Sequence, residues 1–233
     1  MQKIQRLLHK ARRWLAPRRS DTDDSDRQGK WEARWASDRF DPPWRLQELP
    51  DVIREAVDRR WFPPNGHLLD IGCGSGECAG WLAGRGLNVL GVDFAPSAIA
   101  RARAIHPEDE RLRFQVLDIC REAPGRTFDA LLDRGCYHGL TDHQRSDYVR
   151  HVAEAARPGA HFLLLHRFRG IEQHVLSPKE LVHHEQRLSE QLRRAFQSSF
   201  DIEHIQPTAL WRQSGKHAQS DALGLAVWMV RIS

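Results

Sequence analysis

Cysteine, methionine and tyrosine are scarce in these 233 residues, at four, two and two copies. The cysteines stand at 73, 78, 120 and 136, with neither the paired spacing of a zinc site nor the look of a disulfide framework. No metal is therefore expected, and a reducing compartment is favoured. The start of the chain has no secretory apolar core, and no run of about 18 apolar residues occurs anywhere. The longest near-apolar stretch, Ala222 to Val230, suits a buried strand. A membrane span is thus not expected, and a cytoplasmic location is.

Acids are missing from the first 20 positions, which hold Lys3, Arg6, Lys10, Arg12, Arg13, Arg18 and Arg19; the other 213 residues carry 28 cations against 31 acids, a balance of −3 beneath the overall +4. A protein that neutralises many phosphates is expected to put cations on its main domain, so the mildly acidic body argues against a nucleic-acid partner. Ile4, Leu7, Leu8, Ala11, Trp14 and Leu15 share one helical stripe among the N-terminal cations. That pattern suits a helix lying on a surface, and it makes peripheral membrane contact through residues 3–15 one expectation. A frayed arm, an arm packed on the domain and an arginine-rich transit peptide are the others. Pro17 ends the stripe, and Ser20 to Asp26 reads as an acidic, solvated linker. The chain divides into a tail over 1–29 and one domain over 30–233, with an N-terminal cap at 30–60.

What is present is a strand, a glycine turn and a helix start. Leu68-Leu69-Asp70-Ile71 runs into Gly72-Cys73-Gly74-Ser75-Gly76, and Glu77 follows. The apolar run suits a strand covered on both faces, while Gly72 and Gly74 accept positive φ and leave room for a ligand. A dinucleotide fingerprint places its third glycine three residues after the second and rests a pyrophosphate on the helix N-terminus. Here the third glycine is at 76, and Glu77 would oppose a pyrophosphate. The same acid suits a ligand with ammonium and sulfonium charges and no phosphate, a description that S-adenosylmethionine meets.

Further acids follow at strand ends. Leu87 to Asp93 is a second strand whose last residue lies 23 positions after Asp70, where a ribose-binding carboxylate is expected. Pro96 to Ala104 has a proline for its first turn and then strong helix formers. A third strand, Leu112 to Leu117, ends at Asp118, which can accept an adenine amine while Phe94 and Ile119 cover the ring. Phe128 to Asp133 is a fourth, and Arg134 to His138 then forms the expected floor of the reaction site. One strand-end aspartate is commonly a turn or a cap. Three in register after a glycine bend make a pattern. All four cysteines read as packing residues.

These motifs resemble the class I S-adenosylmethionine-dependent methyltransferases from about Trp31 to the C-terminus. Trp31-Glu32-Ala33-Arg34-Trp35, Pro42-Pro43-Trp44 and Asp133 to His138 are similar to the thiopurine and thiol S-methyltransferase-like branch, although Arg45 stands where that branch carries an acid. The resemblance implies that Trp44 closes over the methionine end of the cofactor. The fold expected is α/β, a doubly wound Rossmann-like sheet of seven mostly parallel strands in the order 3-2-1-4-5-7-6, with helices on both faces. Its second half is read as a helix from Asp142 to Ala156 that stops at Pro158-Gly159, a strand from His161 to His166, a helix capped by Ser177 and reaching about Phe196, and strands at Phe200–His204 and Leu223–Ile232.

The expected cofactor contacts are Trp44, Asp70, Gly72, Gly74, Asp93, Phe94, Asp118, Ile119 and Asp133. His138 is the candidate base or electrostatic partner of an acceptor anion, and Arg134 the candidate holder of an anionic acceptor. The reaction expected is in-line methyl transfer to a small-molecule acceptor, a thiol or other soft nucleophile, in which positioning dominates. A thiol of pKa about 8.5 requires no strong base. O- or N-methylation of a secondary metabolite, a non-catalytic cofactor-binding module and a nicotinamide oxidoreductase are the alternatives.

Overall fold

The computed structural model describes residues 24–42, 49–168, 178–211 and 222–233. The basic stripe over 3–15, Trp44 and the Ser177 cap lie outside the described residues. The elements follow in the order α1 (Asp24–Ala36), α2 (Asp51–Asp58), β1 (His67–Ile71), α3 (Glu77–Ala83), β2 (Asn88–Asp93), α4 (Pro96–Ile105), β3 (Leu112–Val116), β4 (Phe128–Arg134), a short 3₁₀ turn (Tyr137–Gly139), α5 (Asp142–Ala155), β5 (Ala156–Arg167), α6 (Pro178–Phe196), β6 (Phe200–Trp211) and β7 (Ala222–Arg231).

The strands form one sheet in the order β3-β2-β1-β4-β5-β7-β6, as expected. The first five pair in parallel, while β7 runs antiparallel to both β5 and β6. Strand alternation divides the core between the two faces. Leu69, Leu131, Phe162 and Leu164 pack with Tyr148 and Val152 of α5 and with Leu192 and Phe196 of α6. Their chain neighbours Leu68, Leu132 and Leu163 pack on the other face with Ile53 of α2, Leu82 of α3 and Ile99 of α4. Both faces are covered, which is why these strands read as continuous apolar runs.

The boundaries differ from expectation in two informative places. β5 starts at Ala156, so Pro158-Gly159 lies within it, where a loop was expected. The β4–β5 register shifts between Phe128 and Ala130, and such an irregularity tolerates a proline that cannot donate to the ladder. At the other end, α1 begins at Asp24, inside the stretch read as linker. Tertiary contacts account for that helix. Glu32 accepts hydrogen bonds from the backbone N–H and the hydroxyl of Ser97, in the first turn of α4. Trp35 is buried and meets Phe40 edge-on at 5.2 Å between ring centroids. Among the described residues no helix is long and apolar enough to cross a membrane.

Candidate active site

Ligands in open sheets of this kind bind beyond the carboxyl ends of the strands, where strand order reverses. A cavity of about 480 Å³ lies there, roofed by α1. The ends of β1, β2, β4 and β5 supply its floor. Of the residues singled out from the sequence, Gly72, Gly74, Asp93, Phe94, Asp118, Ile119, Arg134 and His138 line it together. Lining residues to which the sequence had assigned no role include Lys30 and Arg34 from α1 and Arg167 at the end of β5.

The bend after β1 explains why glycine is needed. Gly72 and Gly74 have φ of +67° and +55°, a region that side chains rarely adopt. A Cβ on Gly72 would stand 2.8 Å from that of Cys136, and one on Gly74 would stand 3.1 Å from the Trp35 ring. Asp93 ties this bend to β2. Its two carboxylate oxygens accept the backbone N–H groups of Gly74 (3.1 Å) and Ala95 (2.9 Å). Burial raises its pKa to about 6, against those two bonds, which favour the charged form.

Asp118 accepts a 2.6 Å hydrogen bond from the Gln28 side-chain amide on α1 and another from the N–H of Cys120. Glu77, the first residue of α3, lines the cavity and accepts a hydrogen bond from Ser75.

Asp70 and Asp133 do not line the cavity; they lie beneath it, and the physical reason is packing. Asp133 is fully buried, and four donors converge on it. One oxygen accepts from the N–H groups of Gly135 (2.8 Å) and Cys136 (2.7 Å), the other from the N–H of Tyr137 (2.9 Å) and the hydroxyl of Tyr148 (2.5 Å). It therefore holds the 134–138 loop in shape, a positioning role. Tyr148 gave no signal in the sequence, because its partner lies across a loop and two turns of another helix.

Asp70 is buried at the end of β1, and its Oδ2 has no hydrogen-bond partner among the described residues. Burial raises its pKa to about 7, opposed by Arg134 and aided by Asp133 and Glu77. Asp133 is raised to about 6 by burial as well, despite its four donors. These carboxyls hold protons more tightly folded than unfolded, where the pKa is near 3.8. Their contribution to stability therefore falls as pH rises from about 4 to about 7 and is level above that. Asp70→Asn is expected to raise Tm at pH 7.5 by roughly 5 °C and by less than half as much at pH 5, as read by circular dichroism melts. Equal shifts at both pH values would remove the assignment.

The other end of the cavity is cationic and aromatic. Arg134 and Arg167 end β4 and β5, and His138 sits on the 3₁₀ turn with its ring 5.8 Å from that of His166. The floor of the cavity thus has carboxylates at the ends of β1–β3 and Arg134 and Arg167 at the ends of β4 and β5, while Lys30 and Arg34 stand in its roof. That polarity suits a cationic nucleoside at one end and an anionic nucleophile at the other.

The sheet order, the glycine bend and the cavity over the strand ends define a doubly wound Rossmann-like fold. Residues 68–159 match the family described as a methyltransferase domain. The chain is similar to the 2-heptyl-1-hydroxyquinolin-4(1H)-one methyltransferase of Mycobacteroides abscessus, at 32% identity over 129 residues, 53% of this chain and 55% of that protein. It is also similar to thiocyanate methyltransferase 1 of Arabidopsis thaliana, at 26% identity over 154 residues, 65% of this chain and 66% of that one. The chain thus spans between about half and two thirds of the length of these relatives. Among solved structures, the N-methyltransferase NodS from Bradyrhizobium japonicum in complex with S-adenosyl-l-homocysteine has the same fold, with a TM-score of 0.61 at 18% identity over 88% of this chain and 98% of that chain.

Proposed function

We propose that this protein is an S-adenosylmethionine-dependent methyltransferase acting on a small-molecule acceptor, a thiol or other soft nucleophile. The observation that carries this reading is the charge arrangement in the floor of the cavity over the strand ends: Glu77, Asp93 and Asp118 toward β1–β3, Arg134 and Arg167 at β4 and β5, beneath a roof that holds Lys30 and Arg34. The residues fit such a cofactor. Gly72 and Gly74 line the cavity with backbone alone, Asp93 has lone pairs left for a ribose diol, and Asp118 already receives an amide N–H. When bound, the cofactor supplies an activated methyl group on a cationic sulfur.

The chain's own work is binding, orientation and exclusion of water. Trp31 and Trp35 roof the cavity, and Phe94 and Ile119 provide apolar surface for a flat base. Arg134 and Arg167 hold an acceptor in its anionic form, which raises the fraction of nucleophile ready to react. His138 is placed to take a proton or to face an anion. The similarity to thiocyanate methyltransferase 1 favours a sulfur nucleophile. The similarity to an enzyme named for a 1-hydroxyquinolone supports an oxygen nucleophile as the second reading.

Calorimetry with S-adenosylhomocysteine and with NADH tests the cofactor, and a screen of thiols, phenols and amines with labelled S-adenosylmethionine tests the acceptor. Heat with the first nucleoside only, and labelled product from a thiol, are expected. No heat with S-adenosylhomocysteine would remove the reading. His138→Ala is expected to lower turnover by roughly 10²-fold or more if it moves a proton, with S-adenosylhomocysteine affinity within twofold of the parent. A large loss of that affinity would show that His138 serves the cofactor instead.

A further inference from the structure

Asp118 is held from two sides, and one of its holders comes from the roof. Its Oδ1 accepts the backbone N–H of Cys120 at 3.0 Å, a contact within its own loop. Its Oδ2 accepts from the Gln28 side-chain amide at 2.6 Å, across 90 positions of sequence. A carboxylate has no hydrogen to give, so the amide faces it with its nitrogen. Arg121 reaches the same oxygen only at 3.4 Å, from a side chain that is 59% exposed, whereas the Asp118 side chain is 17% exposed. That ion pair is solvated and weak, and the short contact at this carboxylate is Gln28.

The helix that carries Gln28 is fixed independently of it. Glu32, one turn further along α1, accepts from the backbone and the hydroxyl of Ser97 in α4. Trp35 is buried, and its ring stands 3.1 Å from the place that a Cβ on Gly74 would take. Just beyond the helix, Arg101 of α4 donates to the carbonyls of Ser37 (2.5 Å) and Phe40 (3.0 Å). With α1 set in this way, Gln28 reaches Asp118 from outside the cavity, for Asp118 lines it and Gln28 does not. Donors on both oxygens fix the plane of the carboxylate, and lone pairs remain for a donor within the cavity.

We infer that Gln28 is a positioning residue for the base of the cofactor: by holding the Asp118 carboxylate in one orientation, it makes the cavity select a 6-aminopurine over a 6-oxopurine. The inference rests on the reading of this cavity as the S-adenosylmethionine site, with Asp118 as acceptor of the adenine amine. A 6-amino group donates to the fixed carboxylate. A 6-oxo group brings an acceptor against an acceptor and leaves the half-buried carboxylate without the bond it is oriented to make. A carboxylate free to turn would discriminate less, because it could follow the N1–H that a 6-oxopurine carries. Fixing it beforehand also removes the cost of ordering it when the nucleoside binds.

The probes are S-adenosylhomocysteine and S-inosylhomocysteine, its 6-oxo counterpart, titrated calorimetrically into the full chain. The parent is expected to prefer the amino nucleoside by about tenfold or more, the worth of one hydrogen bond to a charged group. Gln28→Leu keeps the bulk and removes the donor; it is expected to lower that preference by about threefold or more, through weaker S-adenosylhomocysteine binding alone. Retained binding of S-inosylhomocysteine reports that the variant is folded. Asp118→Ala is expected to abolish the preference, and Gln28→Leu added to it to change neither affinity further. An amide that only holds α1 in place would weaken both nucleosides alike. Equal losses in Gln28→Leu, or an unchanged preference, would therefore overturn the inference and leave the methyltransferase reading intact. Tighter S-adenosylhomocysteine binding by Gln28→Leu would overturn it as well, since the amide would then compete with the base for Asp118. No heat with either nucleoside in the parent would overturn both readings together.

Discussion

Asp93→Ala is expected to weaken S-adenosylhomocysteine binding by about 100-fold or more. A carboxylate accepting two ribose hydroxyls makes charge-assisted bonds worth roughly 1.5–3 kcal/mol each, and about 2.7 kcal/mol corresponds to a hundredfold change. The same side chain accepts the N–H groups of Gly74 and Ala95, so its loss also loosens the glycine bend. The two contributions separate experimentally. Calorimetry reads the affinity, and a thermal melt without ligand reads what the bend alone has lost. Asp93→Asn retains an acceptor oxygen and is expected to fall between the parent and the alanine variant. Affinity within threefold of the parent for Asp93→Ala would mean that the sugar is held elsewhere.

The second large effect is on the fold around the reaction floor. Asp133→Ala leaves three backbone N–H groups and the Tyr148 hydroxyl without their acceptor in a fully buried position. Breaking such a network costs roughly 3–5 kcal/mol, on the order of 10 °C in Tm for a chain of this size. Turnover is expected to be lost with it, because Arg134 and His138 flank the segment that these bonds shape. Tyr148→Phe provides the contrast: it removes one donor and keeps the three backbone bonds. About 1 kcal/mol of stability is expected to go, with activity largely retained. A Tyr148→Phe variant as damaged as Asp133→Ala would place the burden on the hydroxyl rather than on the loop.

The difference between Asp93 and Asp133 illustrates what a sequence can and cannot tell. Both are acids at strand ends, and both were assigned to the cofactor on that ground. Asp93 is the last residue of β2 and faces the glycine bend, so its carboxylate lines the cavity. Asp133 is followed in β4 by Arg134, and strand alternation sends the two side chains to opposite sides. Arg134 takes the cavity and Asp133 the interior. A shift of one residue in where a strand ends decides which role an acid plays, and local pattern does not resolve boundaries that finely.

Partners distant along the chain were out of reach for a related reason. Gln28 and Asp118 are 90 positions apart, and nothing in either neighbourhood signals the other. The helix over Asp24–Ala36 draws support from Ser97 and from the aromatic cluster of Trp35 and Phe40, so its first turn looked like solvated linker when read alone.

By itself, the sequence determined the glycine bend at 72–76, the strand ending in Asp93 and the order of alternating strands and helices, because these depend on backbone allowances and on periodicities that span a few residues. Only the tertiary structure decided that Asp70 and Asp133 lie beneath the cavity and that α1 roofs it through Gln28 and Trp35. Those outcomes depend on which side chains meet across elements far apart in the chain, where burial and unmet hydrogen-bonding groups, not local preference, set the free energy.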